Sequence, residues 1–169
     1  MTSDDPLKAM LIRHEGQVRV GKGHVPYDDK TGARFESGDT LVGQLTVGIG
    51  RNLSEVGLSE DEAMLLLTND IERVRCELDQ ALPWWNRLGE VREAVMISLG
   101  FNLGVLTPPD RAKLLTFKTT LGLIENGKYA EAADRLMTLP WAKQVGQRAV
   151  ELTEMLRTGK WGNANNAPF

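Results

Sequence analysis

The hydrophobic pattern of the chain changes near residue 58, and this change limits the folds that the sequence can adopt. Between Gly16 and Leu53, glycines separate short segments rich in β-branched residues, such as Leu45-Thr46-Val47. This pattern predicts a small antiparallel sheet with tight turns. From Ser59 onward, apolar residues recur at helical spacing, which predicts helices. The expected fold class is therefore α+β, with a small sheet lobe and a larger helical lobe.

The segment from about 59 to 82 is predicted to be a long helix that links the two lobes. Ser59 and Glu62 have the spacing of a capping box, in which each side chain bonds the backbone N–H of the other residue. Pro83 follows the segment and cannot continue a helix. The apolar stripe between these signals consists of Ala63, Leu66, Leu67, Ile71, Val74, Leu78 and Leu82. These boundaries predict one domain with a sheet lobe at about 16–58, a helical lobe at about 1–15 and 80–169, and a cleft between them.

Further helices are predicted at both ends of the chain. Asp5-Pro6 is a helix-start signal, and Leu7, Met10 and Leu11 then share one helical face, in a helix that ends near Glu15. Four more helices are expected at roughly 90–103, 116–126, 129–136 and 147–158, three of them closed by a glycine. We interpret Trp141 and Trp161 as packing residues rather than sugar-stacking platforms. The adjacent pair Trp84-Trp85 is open between the two roles, and packing between helices is favoured.

Composition excludes several functional classes. The 169 residues carry a formal net charge of −3, so there is no basic field to attract nucleic acid. Cys76 is the single cysteine, which rules out an intrachain disulfide. No stretch has the apolar character of a signal peptide or a membrane span, so we expect the protein to accumulate in the cytoplasm of the cell that makes it. No third ligand accompanies His14 and His24 at a spacing typical of metal sites, and we expect no metal and no cofactor.

Carboxylates are the strongest candidates for chemistry. Glu15 follows an amphipathic helix and is therefore rigidly placed, whereas Asp28, Asp29 and Asp39 lie in the glycine-rich region that could face it. Two carboxyl groups in different surroundings can act as an acid and a base. The residues alone leave open which aspartate would be the partner of Glu15.

An ordered set of motifs resembles the phage-type lysozymes of glycoside hydrolase family 24. The motifs are Leu11-x-x-His14-Glu15-Gly16, Tyr27-x-Asp29-x-x-Gly32, Thr46-Val47-Gly48-Ile49-Gly50, Phe101-x-x-Gly104, Arg148-Ala149 and Arg157-Thr158-Gly159-x-Trp161. The resemblance covers about residues 7 to 161, and motifs in a fixed order are more specific than any single one. It implies a lysozyme-like fold.

The resemblance assigns roles to individual residues. It implies that Glu15 is the general acid, that Asp29 activates or positions the attacking water, and that Thr46 helps to hold that water, with overall inversion. It also implies that Arg148 pairs with the acid. Phe101, Thr120 and Arg135 match positions that contact a sugar or peptide, although Arg135 replaces a neutral amide.

Two positions depart from the family pattern. The stretch Ala33 to Gln44 lengthens the connection between Asp29 and Thr46, and Arg51 stands where the typical member has histidine. The insertion leaves Asp28 as an alternative to Asp29 for the water-handling role.

The activity implied is cleavage of the β-1,4 bond between N-acetylmuramic acid and N-acetylglucosamine in peptidoglycan. The resemblance implies an endolysin or virion-associated muramidase that acts in host lysis, with a holin giving access to the cell wall. We expect the protein to be a monomer. A lytic transglycosylase that uses Glu15 alone and a non-catalytic wall-binding module of the virion are the alternative hypotheses.

Overall fold

The computed structural model describes residues 5–15, 17–110 and 112–162, so Gly16 of the first motif lies outside the described residues. The fold class is α+β, as predicted, with short strands followed by helices. The helices and strands are α1 (Asp5–Glu15), β1 (Arg19–Val20), β2 (Gly23–His24), β3 (Tyr27–Asp28), β4 (Leu45–Val47), β5 (Arg51–Asn52), α2 (Glu60–Ala81), α3 (Glu90–Leu103), α4 (Lys118–Glu125), α5 (Tyr129–Thr138), α6 (Pro140–Val145) and α7 (Gln147–Thr158).

The chain divides into two compact units, Met1–Met64 and Leu65–Phe169. The first unit contains α1, the strands and the first turn of α2, and the second contains the rest of α2 and the later helices. The assignment of residues 1–15 to the helical lobe stays a prediction. None of the helices in the described ranges combines the length and the apolar character that a membrane crossing requires.

The strands form two small antiparallel sheets rather than one. Strands β1 and β2 form a hairpin, and β3, β4 and β5 form a three-stranded sheet with β4 in the centre. Thr46 on β4 lies opposite Tyr27 on β3 and Asn52 on β5. This central position buries Thr46, which is 3% exposed.

Helix α2 begins with the predicted capping box. The Glu62 N–H donates to Ser59 Oγ at 3.3 Å, and the Ser59 N–H donates to Glu62 Oε2 at 2.8 Å. The apolar stripe of this helix is buried only in its second half. Val74 and Leu78 have no exposed surface, whereas Leu66 is 49% exposed. The sequence period identified the helix correctly but did not show where its burial begins.

The apolar core lies in the second unit. Helix α5 packs against α4, α6 and α7, and α7 also packs against α3. Large side chains that are fully buried come from α2, α3, α4, α5, α7 and the segment between α3 and α4. They are Val74, Leu78, Val95, Met96, Leu99, Val105, Leu114, Ile124, Leu136 and Leu156. The unit is therefore held together mainly by apolar burial.

The bounds of α4 and α5 differ from the sequence prediction, since α4 is shorter at both ends and α5 continues to Thr138, and one further helix was not predicted. Helices α3 and α7 have the predicted bounds, but Thr116 ends a short 3₁₀ turn and α4 begins at Lys118. The six-residue helix α6 was missed because its length does not allow an apolar repeat to develop. Its one local signal is Pro140 at the first position.

The tryptophans are mostly packing residues, as interpreted. Trp141 is buried and its indole N–H donates to Asn102 Oδ1 at 2.8 Å. Trp85 is buried and donates to Asp79 Oδ1 at 2.7 Å, with Trp84 partly buried beside the core. The prediction was wrong for Trp161, which is 57% exposed because it follows the end of α7.

Candidate active site

Glu15 is the last residue of α1, and its side chain is exposed. Its carboxylate lies beside Gly50, in the turn between β4 and β5. A Cβ placed on Gly50 would be 3.1 Å from Glu15 Oε2, and Gly50 has a φ of +72° that other residues rarely adopt. Gly50 therefore allows both the turn and the close approach of the carboxylate. Gly50 belongs to the motif Thr46-Val47-Gly48-Ile49-Gly50, but the motif alone does not indicate this contact.

Asp28 ends β3 and is buried, with 5% of its surface exposed. Its Oδ2 accepts the N–H groups of Val42 at 2.5 Å and Gly43 at 3.0 Å. Its Oδ1 accepts the N–H groups of Lys30 at 3.0 Å and Thr31 at 3.1 Å. The N–H groups of Gly43 and Val42, followed by those of Thr31 and Lys30, outweigh the effect of burial and lower the pKa of Asp28 to about 2. Asp28 is a charged structural anchor.

Asp29 follows directly and has different surroundings. Its side chain is exposed, and Oδ1 accepts the Gln44 N–H at 2.7 Å. The Asp29 N–H donates to the Gln44 carbonyl at 3.1 Å. Among the described residues, Asp29 Oδ2 has no hydrogen-bond partner. One oxygen of Asp29 is thus fixed by the backbone, while the other is available to a water molecule.

Thr46 is linked to Asp29 through Gln44. Its hydroxyl lies 3.4 Å from the Gln44 carbonyl oxygen and donates to it. That same carbonyl accepts the Asp29 N–H. The fold therefore brings Asp29 and Thr46 to the same residue, across the insertion that separates them in sequence.

Arg51 begins β5 and fixes the connection to α2. Its guanidinium donates to the Gly57 carbonyl at 3.2 Å and forms an ion pair with Glu62. The backbone N–H of Ser59 contributes most to lowering the pKa of Glu62, and the positive charge of Arg51 contributes further. Arg51, at the family's histidine position, thus joins the strand to the start of the helix.

Arg148 and Phe101 lie in the second unit. The Arg148 guanidinium donates to the Ser98 hydroxyl at 2.9 Å and to the Ser98 carbonyl at 3.2 Å. Both residues line a pocket of about 430 Å³ between α2, α3 and α7, together with Leu67, Ile71, Arg75, Ala94, Ile97 and Ser98. The apolar side chains and two arginines of this pocket suit a ligand that is partly apolar and partly anionic. The pairing of Arg148 with Glu15 stays a prediction.

The two remaining predicted contact residues differ in exposure. Arg135 on α5 is exposed and can reach a ligand in solution. Thr120 on α4 is 2% exposed, and its hydroxyl has no accessible surface and no hydrogen-bond partner among the described residues. Helix α4 turns this side chain toward the core, and a substrate contact of Thr120 stays a prediction.

The histidines and acidic residues do not form a metal site within the described ranges. No cluster of three His, Cys, Asp or Glu side chains there is placed to hold an ion. His24 instead contacts the Arg19 guanidinium at 3.0 Å.

Comparison with known proteins gives the family. The family model for phage lysozyme matches residues 28–157, a span that includes Asp28, Asp29 and Thr46 but not Glu15. Two curated proteins from Dictyostelium discoideum, Probable T4-type lysozyme 1 and Probable T4-type lysozyme 2, are each 26% identical to this chain. Both matches cover 86% of this chain and 83% of the relative. Since the family model spans most of the chain and the α+β fold agrees with it, the chain belongs to the phage lysozyme family, whose members are glycoside hydrolases that act on peptidoglycan.

Proposed function

We propose that this protein is an inverting muramidase that hydrolyses the β-1,4 bond between N-acetylmuramic acid and N-acetylglucosamine. Glu15 protonates the glycosidic oxygen, Asp29 activates the attacking water, and Thr46 helps to hold that water. No metal or cofactor takes part. The observation that carries the proposal is the contrast between two adjacent aspartates. Asp28 accepts four backbone N–H groups, whereas one carboxylate oxygen of Asp29 has no partner in the part of the chain that the structure describes.

The chemistry requires two carboxyl groups with different tasks. In an inverting glycosidase the acid and the base lie about 6.5–9.5 Å apart, so that a water molecule fits between the base and the sugar. Asp29 suits the base because the Gln44 N–H fixes the orientation of an exposed carboxylate. Glu15 is exposed in the free protein, so its carboxyl group is accessible to the sugar. Gly50 leaves room for the Glu15 side chain beside the sugar.

In this proposal, residues of the second unit contact the parts of the substrate away from the bond that is cleaved. Phe101 and Arg148 line the same pocket, and Arg135 is exposed on α5. A peptidoglycan stem carries carboxylates and apolar side chains, which match arginine and phenylalanine in chemistry. Pairing of Arg148 with Glu15 would orient the acid.

The first experiment measures activity on purified peptidoglycan and on chloroform-treated Gram-negative cells. We expect Glu15→Gln to keep the fold and lose at least about 100-fold in rate, because an amide cannot donate the proton. Asp29→Asn is expected to lose activity on the same scale. Activity of either variant near the wild-type level would contradict the role given to that residue.

The products distinguish this reaction from the alternatives. Hydrolysis adds water and leaves reducing ends, so mass spectrometry in H₂¹⁸O should show one labelled oxygen at each new reducing end, while the fragment that keeps the glycosidic oxygen gains no label from that cleavage. Anhydro ends without label would indicate a lytic transglycosylase. Sedimentation with cell walls without release of fragments would indicate a non-catalytic binding module. Proton NMR of the first product should show the α-anomer, as inversion requires.

We further propose that the protein acts in host lysis, as an endolysin that stays in the host cytoplasm until a holin opens the inner membrane. A virion-associated role is the alternative that the sequence left open. Expression in a Gram-negative host should leave the cells intact until a holin is co-expressed. Lysis without a holin would contradict the dependence. Light scattering after size exclusion should give the mass of one chain.

A further inference from the structure

We propose that Asp28 is a positioning residue for hydrolysis, whose carboxylate ties together the two ends of the loop 29–44 and thereby fixes the place of Asp29. The inference rests on the proposed function of Asp29 as the residue that activates water. Asp28 itself does not contact water or sugar in this scheme.

The hydrogen bonds of Asp28 span the loop. Oδ1 holds the N–H groups of Lys30 and Thr31, which follow directly, and Oδ2 holds those of Val42 and Gly43, which lie 14 and 15 residues further along the chain. One buried side chain thus joins the start of the loop to its end. The loop includes the insertion from Ala33 to Gln44, and the pairing of β3 with β4 also joins its ends, so Asp28 extends that connection to Val42 and Gly43.

The end of the loop determines how Asp29 is oriented. Gln44 follows Gly43 and makes both backbone contacts to Asp29, one through its N–H and one through its carbonyl. Gly43 packs so closely that an added Cβ would overlap Asp29 Oδ1 and lie 2.7 Å from the Cβ of Lys30. Movement of Val42 and Gly43 would therefore displace Gln44 and release the carboxylate of Asp29.

A carboxylate is the side chain that fits this position. Its two oxygens accept four hydrogen bonds, whereas the amide of asparagine would direct N–H groups at two of the four donors. Because Asp28 is 5% exposed, water would replace the lost acceptors poorly. The charge that these N–H groups stabilise agrees with the lowered pKa of this carboxyl group.

The test combines Asp28→Asn and Asp28→Ala with Asp29→Asn and the double variant. We expect the Asp28 variants to lose about 10- to 100-fold in kcat, the scale of a catalytic group displaced by about 1 Å, with KM nearly unchanged. In the Asp29→Asn background, Asp28→Ala should add no further loss, because Asp28 acts through Asp29. Asp39→Asn is the matched control and should keep wild-type kcat. Asp39 lies in the same loop, but its side chain accepts, within the described ranges, only the nearby Glu36 N–H at 2.7 Å.

Amide hydrogen exchange supplies an independent readout. In the wild-type protein at neutral pH, the amides of Val42 and Gly43 should be protected, and the Asp28 variants should lose this protection together with that of Gln44. Unprotected Val42 and Gly43 amides in the wild type would overturn the inference, even if the variants fail to fold.

The failures of the two proposals are distinguishable. Normal activity in Asp29→Asn would refute the role of Asp29 and the inference that depends on it. Loss of activity in Asp29→Asn with normal kcat in both Asp28 variants would refute only the positioning role. A third outcome is that the double variant loses kcat by the product of the two single losses while the loop amides stay protected. That result would mean that Asp28 acts independently of Asp29 and would refute the positioning role.

Discussion

The two units of this protein are stabilised in different ways. Among the described residues, Tyr27 is the one buried hydrophobic side chain before Val74, and the remaining ones lie in the second unit. The first unit is instead held by polar side chains that bond backbone groups. Asp28 bonds the distant Val42 N–H, and Asn52 bonds the nearby N–H groups of Ser54 and Glu55. The second unit is held by an apolar core between helices.

The difference shows how a small sheet region can position reactive groups without a large core. Directed hydrogen bonds fix loops in place, and the proposed catalytic residues Glu15, Asp29 and Thr46 all belong to the polar unit. Such bonds depend on charge and on single atoms, whereas apolar burial depends on area and volume. The two units should therefore respond differently to substitutions and to acid.

The largest expected effect is loss of apolar burial in the second unit. Leu78→Ala should reduce the free energy of unfolding by about 2–5 kcal/mol, because Leu78 has no exposed surface and its removal leaves a cavity. Leu66→Ala, on the same helix and in the same predicted stripe, should change it by less than about 0.5 kcal/mol, because Leu66 is 49% exposed. Denaturant unfolding of both variants measures the difference, and equal losses would contradict the division of α2 into exposed and buried halves.

A smaller effect is expected from the capping box, where the polar unit meets the long helix. Ser59→Ala removes the acceptor of the Glu62 N–H and should cost about 1 kcal/mol. Ser59→Asp should recover most of this loss, because aspartate is also a good capping residue. Thermal unfolding provides the measurement. A stable Ser59→Ala variant would show that the ion pair between Arg51 and Glu62 is sufficient to hold the start of α2.

The third expected effect is the loss of the Asp28 hydrogen bonds in acid, which should not be seen at neutral pH. The folded-state pKa of Asp28 is about 2, below the ordinary value of 3.8, so its stabilisation is complete above about pH 4 and is lost as the pH falls toward 2. Over this range the amides of Val42 and Gly43 should lose exchange protection before those of the apolar core. Asp28→Asn should remove this pH dependence, and Asp39→Asn should retain it.

Glu77 shows that the second unit also contains a carboxylate anchor. Burial alone would raise the pKa of Glu77, but the N–H groups of Leu106 and Thr107 lower it overall. Its bonds are also lost in acid, but the surrounding apolar core does not depend on protonation. Simultaneous acid opening of both units would contradict the proposed difference between them.

The sequence by itself determined the features that are encoded within a few residues. The capping box at Ser59, the ends of α3 and α7 before Gly104 and Gly159, and the change from strand to helical spacing were all predicted correctly. These signals are local because a helix cap or a turn needs only neighbouring donors and acceptors. The order of motifs also predicted the family, which the comparisons confirmed.

Only the tertiary structure decided how similar residues differ. Asp28 and Asp29 are identical in type and adjacent in sequence, and their difference depends on the backbone of residues 42–44 reaching them across the loop. In the same way, Leu66 and Leu78 belong to one apolar stripe of α2, but Leu66 is exposed and Leu78 is buried. Thr120 faces the core rather than solvent. Hydrogen-bond saturation and burial are set by segments that are distant in the chain, so no local pattern contains them.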